Sequence, residues 1–554
     1  MSSYTILLTF ILLGVSILTQ AHLQSVFETQ KPIFHHPIER VAVVGAGPAG
    51  LQAAAHLVEH NFTVRLFERA PHPGGTWFYS EETPSRESYP DDSLDYSAQI
   101  PLQLPATKYY QEGDDGLTLE ERWTRHWRPR PVWSSLFTNS PKISTELPDV
   151  PYTPDTPYVL SHRTIQRHVR SYASHHCLNS NDHCPRTPSS PQVTSYSTLV
   201  AKVEKDEASH VWILTLRRLN RLPESNRIQE EWWTEAFDAV VLASGPYVSP
   251  HVPDIPGIVD WSKARINEDY CMYHSQSYRH PERYAGKTVL IVGASVSASE
   301  IARDISPFTH RLIASVRPPK DTRGSRQRSL TRFPNITEFV PEVASFQSLQ
   351  THTNGIRTGE ILLVNGSVLQ GIDEIILATG YRSSALYPPT STTRRPENIT
   401  WTGHYIPDPT LVYTVGRPWT IGRYQSYGFV QVWKGTADVP PPESTNDSKL
   451  KDGEDEGDGS TIPYWREMWY GEALIRRYVT WLNDASLKDG GRFVDPPPIE
   501  HLELLKYYAV VHLLNNTQQL EGIGLNLFSP FSPNQHLVTD LNPWDAFVDE
   551  DADW

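Results

Sequence analysis

Residues 41–50 read VAVVGAGPAG. A short apolar run enters a turn whose glycines stand at 45, 47 and 50, the GxGxxG spacing. A helical run follows over 51–60, and a second apolar run, 64–67, ends on Glu68. Gly45 allows the tight turn, Gly47 lets backbone amides approach a pyrophosphate, and Gly50 lets the helix pack close to the strand. The helix N-terminus offers partial positive charge to phosphates. Glu68 falls roughly 20 residues beyond the last glycine, where a carboxylate accepts hydrogen bonds from a ribose diol. Strand, glycine turn, helix and acid in this order predict a dinucleotide site.

The pattern then repeats. An apolar strand at 287–292 enters Gly293-Ala294-Ser295-Val296-Ser297-Ala298, with a helix to residue 305, a strand at 311–316 and another at 374–378. Both units close on Leu-Ala-Ser/Thr-Gly, at 242–245 and 377–380. The fold class predicted is α/β, with two Rossmann-like dinucleotide-binding domains, the second inserted in the first. The boundaries are 36–250, 251–376 and a returning part, 377–554. Two such units imply two dinucleotides. In the second turn Ser295 and Ala298 occupy glycine positions; both are small but tolerate positive φ less well. Between the units, 194–203 and 210–217 alternate like a hairpin. With a third run at 230–237, they form a small antiparallel layer leading to the buried strand 239–243. Residues 80–130 are polar and read as a long surface excursion. Helices are expected at 162–173, 464–482 and 499–516, with a disordered insertion at about 440–461.

The 554-residue chain carries a formal charge of −15, which argues against nucleic acid or an anionic membrane surface as partner. Residues 4–18 are apolar and uncharged, and 19–21 resemble a small-residue cleavage site. Residues 1–21 therefore read as a secretory signal peptide, or as an uncleaved anchor that only just spans a bilayer. Six Asn-x-Ser/Thr sequons, at Asn61, Asn335, Asn365, Asn398, Asn446 and Asn515, agree with export and N-glycosylation, although Asn61 follows the cofactor helix closely. Of three cysteines, Cys177 and Cys184 are near enough to close a loop disulfide in an oxidising lumen, or are simply small buried residues.

These pieces resemble the flavin-containing monooxygenases, which oxygenate soft nitrogen and sulfur atoms with FAD, NADPH and O₂. The similarity runs from residue 38 to about 440. It implies that Gly45, Gly47, Gly50 and Glu68 bind FAD, helped by the GGxW element at 74–77 with Gly75 and Trp77. The segment 135–142, SLFTNSPK, matches the family's SLxTNxPK, so Asn139 is expected beside the flavin, supporting the oxygenated intermediate (a 4a-hydroperoxyflavin). The linker signature FxGxxxHSxxY is half kept: His274, Ser275 and Tyr278 match, while Glu268 and Tyr270 replace its phenylalanine and glycine. His274 is read as orienting the linker. The ATGY signature is intact at 378–381 with Thr379 and Gly380, and 409–411 and 425–435 resemble the returning FAD segment, with Gln425 in the glutamine position. Gly293 and Ser295 would take the second dinucleotide. Ser315 and Arg317, where an acid would favour NAD, suit a 2′-phosphate and hence NADPH.

The resemblance implies a small-molecule or peptide substrate, of the kind found in secondary metabolism, with no metal and no side-chain nucleophile required. Membrane contact is expected only if the first segment stays uncleaved. The alternatives are a Baeyer–Villiger type enzyme, whose linker usually ends in tryptophan where this chain has Tyr278, and a flavoprotein scaffold without oxygenase activity. The absence of Cys-x-x-Cys argues against a disulfide reductase.

Overall fold

The computed structural model describes residues 34–84, 99–157, 159–180, 193–245, 247, 249–266, 269–317, 330, 332–350, 355–382, 399–414, 418–440 and 464–497. The expected signal segment, most of the insertion, the helix at 499–516, Cys184, Glu268, Asn398, Asn446 and Asn515 lie outside these residues.

The chain opens on β1 (Arg40–Val44), α1 (Pro48–Glu59) and β2 (Thr63–Phe67), and continues through β3 (Ala106–Tyr110), α2 (Leu119–Trp127), β4 (Phe137–Pro141), β5 (Val159–Ser161) and α3 (His162–His175). Then come β6 (Thr194–Ser195), β7 (Thr198–Asp206), β8 (Val211–Leu222), β9 (Arg227–Phe237), β10 (Ala239–Leu242) and β11 (Ser249–Pro250). The second unit holds β12 (Arg265–Ile266), β13 (Asp269–Tyr270), β14 (Met272–His274), β15 (Thr288–Val292), α4 (Val296–Ile305), β16 (Arg311–Ser315), β17 (Glu338–Val340), β18 (Val343–Phe346), β19 (Ile361–Leu363), β20 (Val368–Leu369) and β21 (Glu374–Leu377). β22 (Tyr381–Arg382), β23 (Leu411–Tyr413), α5 (Pro418–Trp433) and α6 (Tyr464–Asp489) complete the described chain.

Two parallel five-stranded sheets have matching orders, β23-β10-β1-β2-β6 and β14-β21-β15-β16-β17. In both, the strand carrying the glycine turn is central, and its neighbours are the next strand in its unit and the closing Leu-Ala strand. Parallel strands covered on both faces read as continuous apolar runs, which is why these strands were visible in sequence. Their residues nevertheless alternate between two cores. Val41, Val43, Leu66 and Val241 pack with helices α1, α3 and α5, whereas Ala42, Val44, Phe67 and Leu242 pack against the antiparallel sheet β3-β9-β8-β7. The second sheet repeats this: Val289, Ile291 and Ile376 pack on α4, while Leu290, Val292 and Ile375 meet the three-stranded sheet β18-β19-β20. Each fully buried Val, Leu or Ile contributes roughly 1.5–3 kcal/mol.

The expected hairpin and third strand are β7, β8 and β9, paired antiparallel, with 194–195 split off as an edge strand of the parallel sheet. Residues 80–130 differ from expectation. β3 pairs with β9, and α2 begins with a Thr118–Glu121 capping box. Trp127, Tyr110, His126 and Arg130 are buried. The polarity that suggested solvent is internally paired: Tyr110 donates to Glu230 at 3.0 Å and His126 Nε2 lies 2.9 Å from Ser197 O.

Candidate active site at two glycine turns

At the first turn Gly45 has φ +105°, and a Cβ there would lie 2.5 Å from Ala243 O. A Cβ on Gly50 would lie 1.9 Å from Gly45 O, and one on Gly75, at φ +56°, 2.8 Å from Gly47 Cα. The Gly74 amide donates to Ala46 O at 3.0 Å, so the GGxW turn closes directly on the first glycine turn. Three backbone segments meet with no room for side chains. Gly47 is the N-cap of α1 and provides no side-chain cap, and Pro48 follows. The first-turn amides are therefore open to an anion, and this cradle fits a pyrophosphate.

Glu68, buried at the end of β2, accepts at Oε2 from the Ala46 amide (2.8 Å), and at Oε1 from the Ala70 amide (2.8 Å) and Arg130 Nη2 (3.1 Å). A carboxylate has about four acceptor sites; the remaining one, on Oε2, is available to a ribose hydroxyl. Arg130 was not anticipated. Only the fold brings it to the acid, although an arginine among the aromatic residues before SLFTNSPK was a visible signal. Trp77 ends a 3₁₀ turn and packs, partly buried, on the helix-side core. Gln425 is buried on α5 and faces Tyr478 of α6. α5 meets α1 on either side of Gln425: Gln52 Nε2 donates to Pro418 O at 3.0 Å, a Cβ on Gly422 would lie 2.6 Å from that nitrogen, and Tyr427 packs edge-on against His56.

At the second turn Gly293 has φ +126°, and a Cβ there would lie 2.4 Å from Ala378 O. Its amide donates to Ser315 O at 3.0 Å, as Gly45 donates to Phe67 O at 2.8 Å. Ser295 is the N-cap of α4 with φ −92° and makes no capping bond through its side chain; Ala298 lies within the helix and is fully buried. Positive φ is thus needed only at the first glycine of the turn, and serine and alanine fit the other places without strain. The Ser315 hydroxyl donates to Pro341 O at 3.0 Å. Arg317 is exposed, its Nε 2.8 Å from Oε1 of Glu342, an acid that sequence spacing did not link to this site. Thr379 donates through its hydroxyl to His251 O, and the His251 amide donates to Gly380 O at 2.8 Å. The two chain crossings between the units, β11 and β22, pair antiparallel there.

Asn139 lies on β4 with its side chain exposed, while Thr138 beside it is buried and bonds Leu160 N at 3.0 Å. Among the described residues no side-chain hydrogen bond joins Asn139 to either turn. His274 is buried, and burial pushes its pKa down to about 3; its Nδ1 accepts from the Gln276 amide at 3.1 Å, so the ring is neutral and holds the linker turn. Arg279, lowered by burial to about 10 and still charged at neutral pH, directs its guanidinium at the carbonyls of Ser80, Gln276, Tyr278, Glu82 and Arg130. Among the described residues no group of three or more His, Cys, Asp or Glu side chains could hold a metal. A cleft of about 540 Å³ beside Trp401 and Trp481 is lined by none of the residues named above from the turns.

Known proteins match this architecture. Residues 43–112 match the model for NAD(P)-binding Rossmann-like domains and residues 125–320 that for flavin-binding monooxygenase-like proteins. The chain is 32% identical to flavin-containing monooxygenase iboF of Amanita muscaria, covering 84% of this chain and 92% of that protein. It is 31% identical to flavin-containing monooxygenase ustF2 of Aspergillus flavus, over 72% and 83%. The S-allyl-L-cysteine S-oxygenase of Allium sativum shares the fold, with a TM-score of 0.52 at 19% identity over 92% of this chain and 98% of that one. The chain belongs to the flavin-containing monooxygenase family.

Proposed function

We propose that this flavin-dependent monooxygenase, which uses FAD and NADPH, oxygenates a soft nucleophile: the nitrogen of an amine or the sulfur of a thioether in a small molecule or peptide. The observation that carries the reading is the pair of equivalent glycine turns, each followed by a helix whose N-terminus has no side-chain cap. The first, with Glu68 and Gly75, is assigned to FAD; the second, with Ser315, Arg317 and Thr379, to NADPH. FAD, when bound, would activate O₂ for the transfer, so no side-chain nucleophile is required. The chain's part is to orient both dinucleotides, keep water out and present Asn139 to the reaction.

Tyr278 favours nitrogen or sulfur over a ketone as the oxygenated atom. It is fully buried, and its hydroxyl donates to Asp304 at the place where ketone-oxygenating relatives of this fold usually carry tryptophan. The test is turnover of a panel of amines, thioethers and ketones with NADPH and O₂, measuring oxygenated product against hydrogen peroxide. Product from amines or thioethers is expected. Product from ketones alone, or peroxide alone with every substrate, contradicts the proposal.

The same chain is proposed to work in the secretory pathway as an N-glycoprotein. Asn61, Asn335 and Asn365 are exposed, and Asn61 lies beyond the C-terminal end of α1, roughly 18 Å along the helix from the glycine turn. Cys177 is disulfide-bonded and Cys271 is buried. No helix among the described residues is long and apolar enough to cross a membrane. Expression in a eukaryotic host should give a product that loses mass on glycosidase treatment and starts near His22. An unglycosylated product contradicts the address, and an intact first segment in the membrane fraction favours the anchor.

A further inference from the structure

Residues 133–136 form a strap between the two units. Trp133 is buried in the core of the second unit with Tyr278, Tyr284, Ala298 and Ile301. The Ser134 amide and hydroxyl both donate to Arg279 O, at 3.1 and 3.0 Å. The hydroxyl of Ser135 donates to Oδ2 of Asp304 at 2.6 Å, and the Tyr278 hydroxyl donates to the same oxygen. On its other side the strap is tied to the first unit, where the His162 amide at the start of α3 donates to Leu136 O at 2.9 Å. β4 and Asn139 follow directly.

Asp304 lies on α4, nine residues and roughly 13 Å along the helix from Ser295 of the second glycine turn. A single carboxylate oxygen on the helix that follows the NADPH turn therefore receives one hydroxyl from the strap and one from the linker. We propose that Asp304 is a positioning residue: it fixes the register of the Asn139 strand against the second dinucleotide, so that binding there is transmitted to β4. Hydrogen bonds to a charged acceptor are the stronger kind, and two converging on one oxygen define a direction as well as a distance. The inference rests on the assignment of NADPH to the second turn. It adds a residue at the far end of α4 from the second glycine turn.

The experiment is amide hydrogen exchange on the FAD-loaded full chain with and without NADP⁺, in the wild type, Asp304→Ala and Ser135→Ala. In the wild type NADP⁺ is expected to slow exchange at both 293–299 and 133–141. In either variant protection at 293–299 should persist while protection at 133–141 is lost. Turnover should fall about tenfold to a hundredfold, the scale of a misplacement of about 1 Å, with FAD retained. Protection of 133–141 that survives in both variants overturns the proposal. Absence of NADP⁺ protection at 293–299 in the wild type instead refutes the NADPH assignment itself, so the two failures are distinguishable. Ser135→Ala removes only one arm and keeps the test informative if Asp304→Ala does not fold.

Discussion

Gly45 and Gly293 occupy equivalent places and are held by the same constraint, a carbonyl oxygen of the neighbouring closing strand within 2.5 Å of where a Cβ would stand. The later turn positions are not equivalent, since Gly50 has no space for a methyl while Ala298 carries one in full burial. Gly75→Ala is expected to strain a residue at positive φ and to push on Gly47, costing about 1 kcal/mol or more of stability and weakening FAD retention. Flavin fluorescence released on dilution measures this; unchanged retention would dissociate the GGxW turn from the FAD site. Arg317→Ala should raise KM for NADPH about tenfold or more while leaving KM for NADH unchanged, because a charge-assisted contact is worth roughly 1.5–3 kcal/mol. Glu342→Gln should act oppositely, since Glu342 holds that guanidinium and would have to release it to a 2′-phosphate. A fall in NADPH affinity in Glu342→Gln would mean that the acid orients Arg317 rather than competing. Glycine spacing and the acid at 68 were legible because local chemistry dictates them. Arg130, Glu342 and Asp304 were not, because their partners are distant in sequence and meet only in the fold.

Among the elements, the buried parallel strands β1, β2, β10, β15, β16 and β21 were read within a residue or two, since burial on both faces leaves an apolar run in the chain. By contrast, β8 runs five residues and α6 seven residues past the expected ends, and α5 was not read as a helix. β3 and α2 were missed for the opposite reason: apart from Trp127 their buried side chains are polar, among them Tyr110 and His126, which meet Glu230 and Ser197 O. The capping box at Thr118 and Glu121 was the available signal. Arg279 ties this segment to the linker through five carbonyls of different residues. Arg279→Lys keeps the charge but has three donors in place of five. The expected outcome is a lower unfolding temperature and faster proteolysis within 80–130, read by limited digestion. A digestion pattern like the wild type would show that the segment is held by β3 and α2 alone.

Across the whole molecule several histidines are folded in neutral. Burial lowers His56 and His168 to about 4 and His404 to about 3. Between these values and the ordinary 6.5 the unfolded chain binds protons that the folded chain refuses. The stability present above pH 6.5 is therefore lost as pH falls, by up to about 2 kcal/mol per group near pH 5. The denaturation midpoint should drop between pH 7 and 5, above the range where carboxylates titrate, and His404→Gln should shallow that slope. A midpoint constant over that interval would contradict the burial of these rings.

The duplicated turn is proposed to serve two dinucleotides, with electrons passing from one to the other. This proposal is tested most directly by mixing the FAD-loaded protein anaerobically with NADPH and following the visible flavin absorbance. Rapid bleaching by NADPH, slower bleaching by NADH, and a loss of that preference in Arg317→Ala are expected. An FAD that stays oxidised with both nucleotides would contradict the proposal and leave the chain a flavin-binding scaffold.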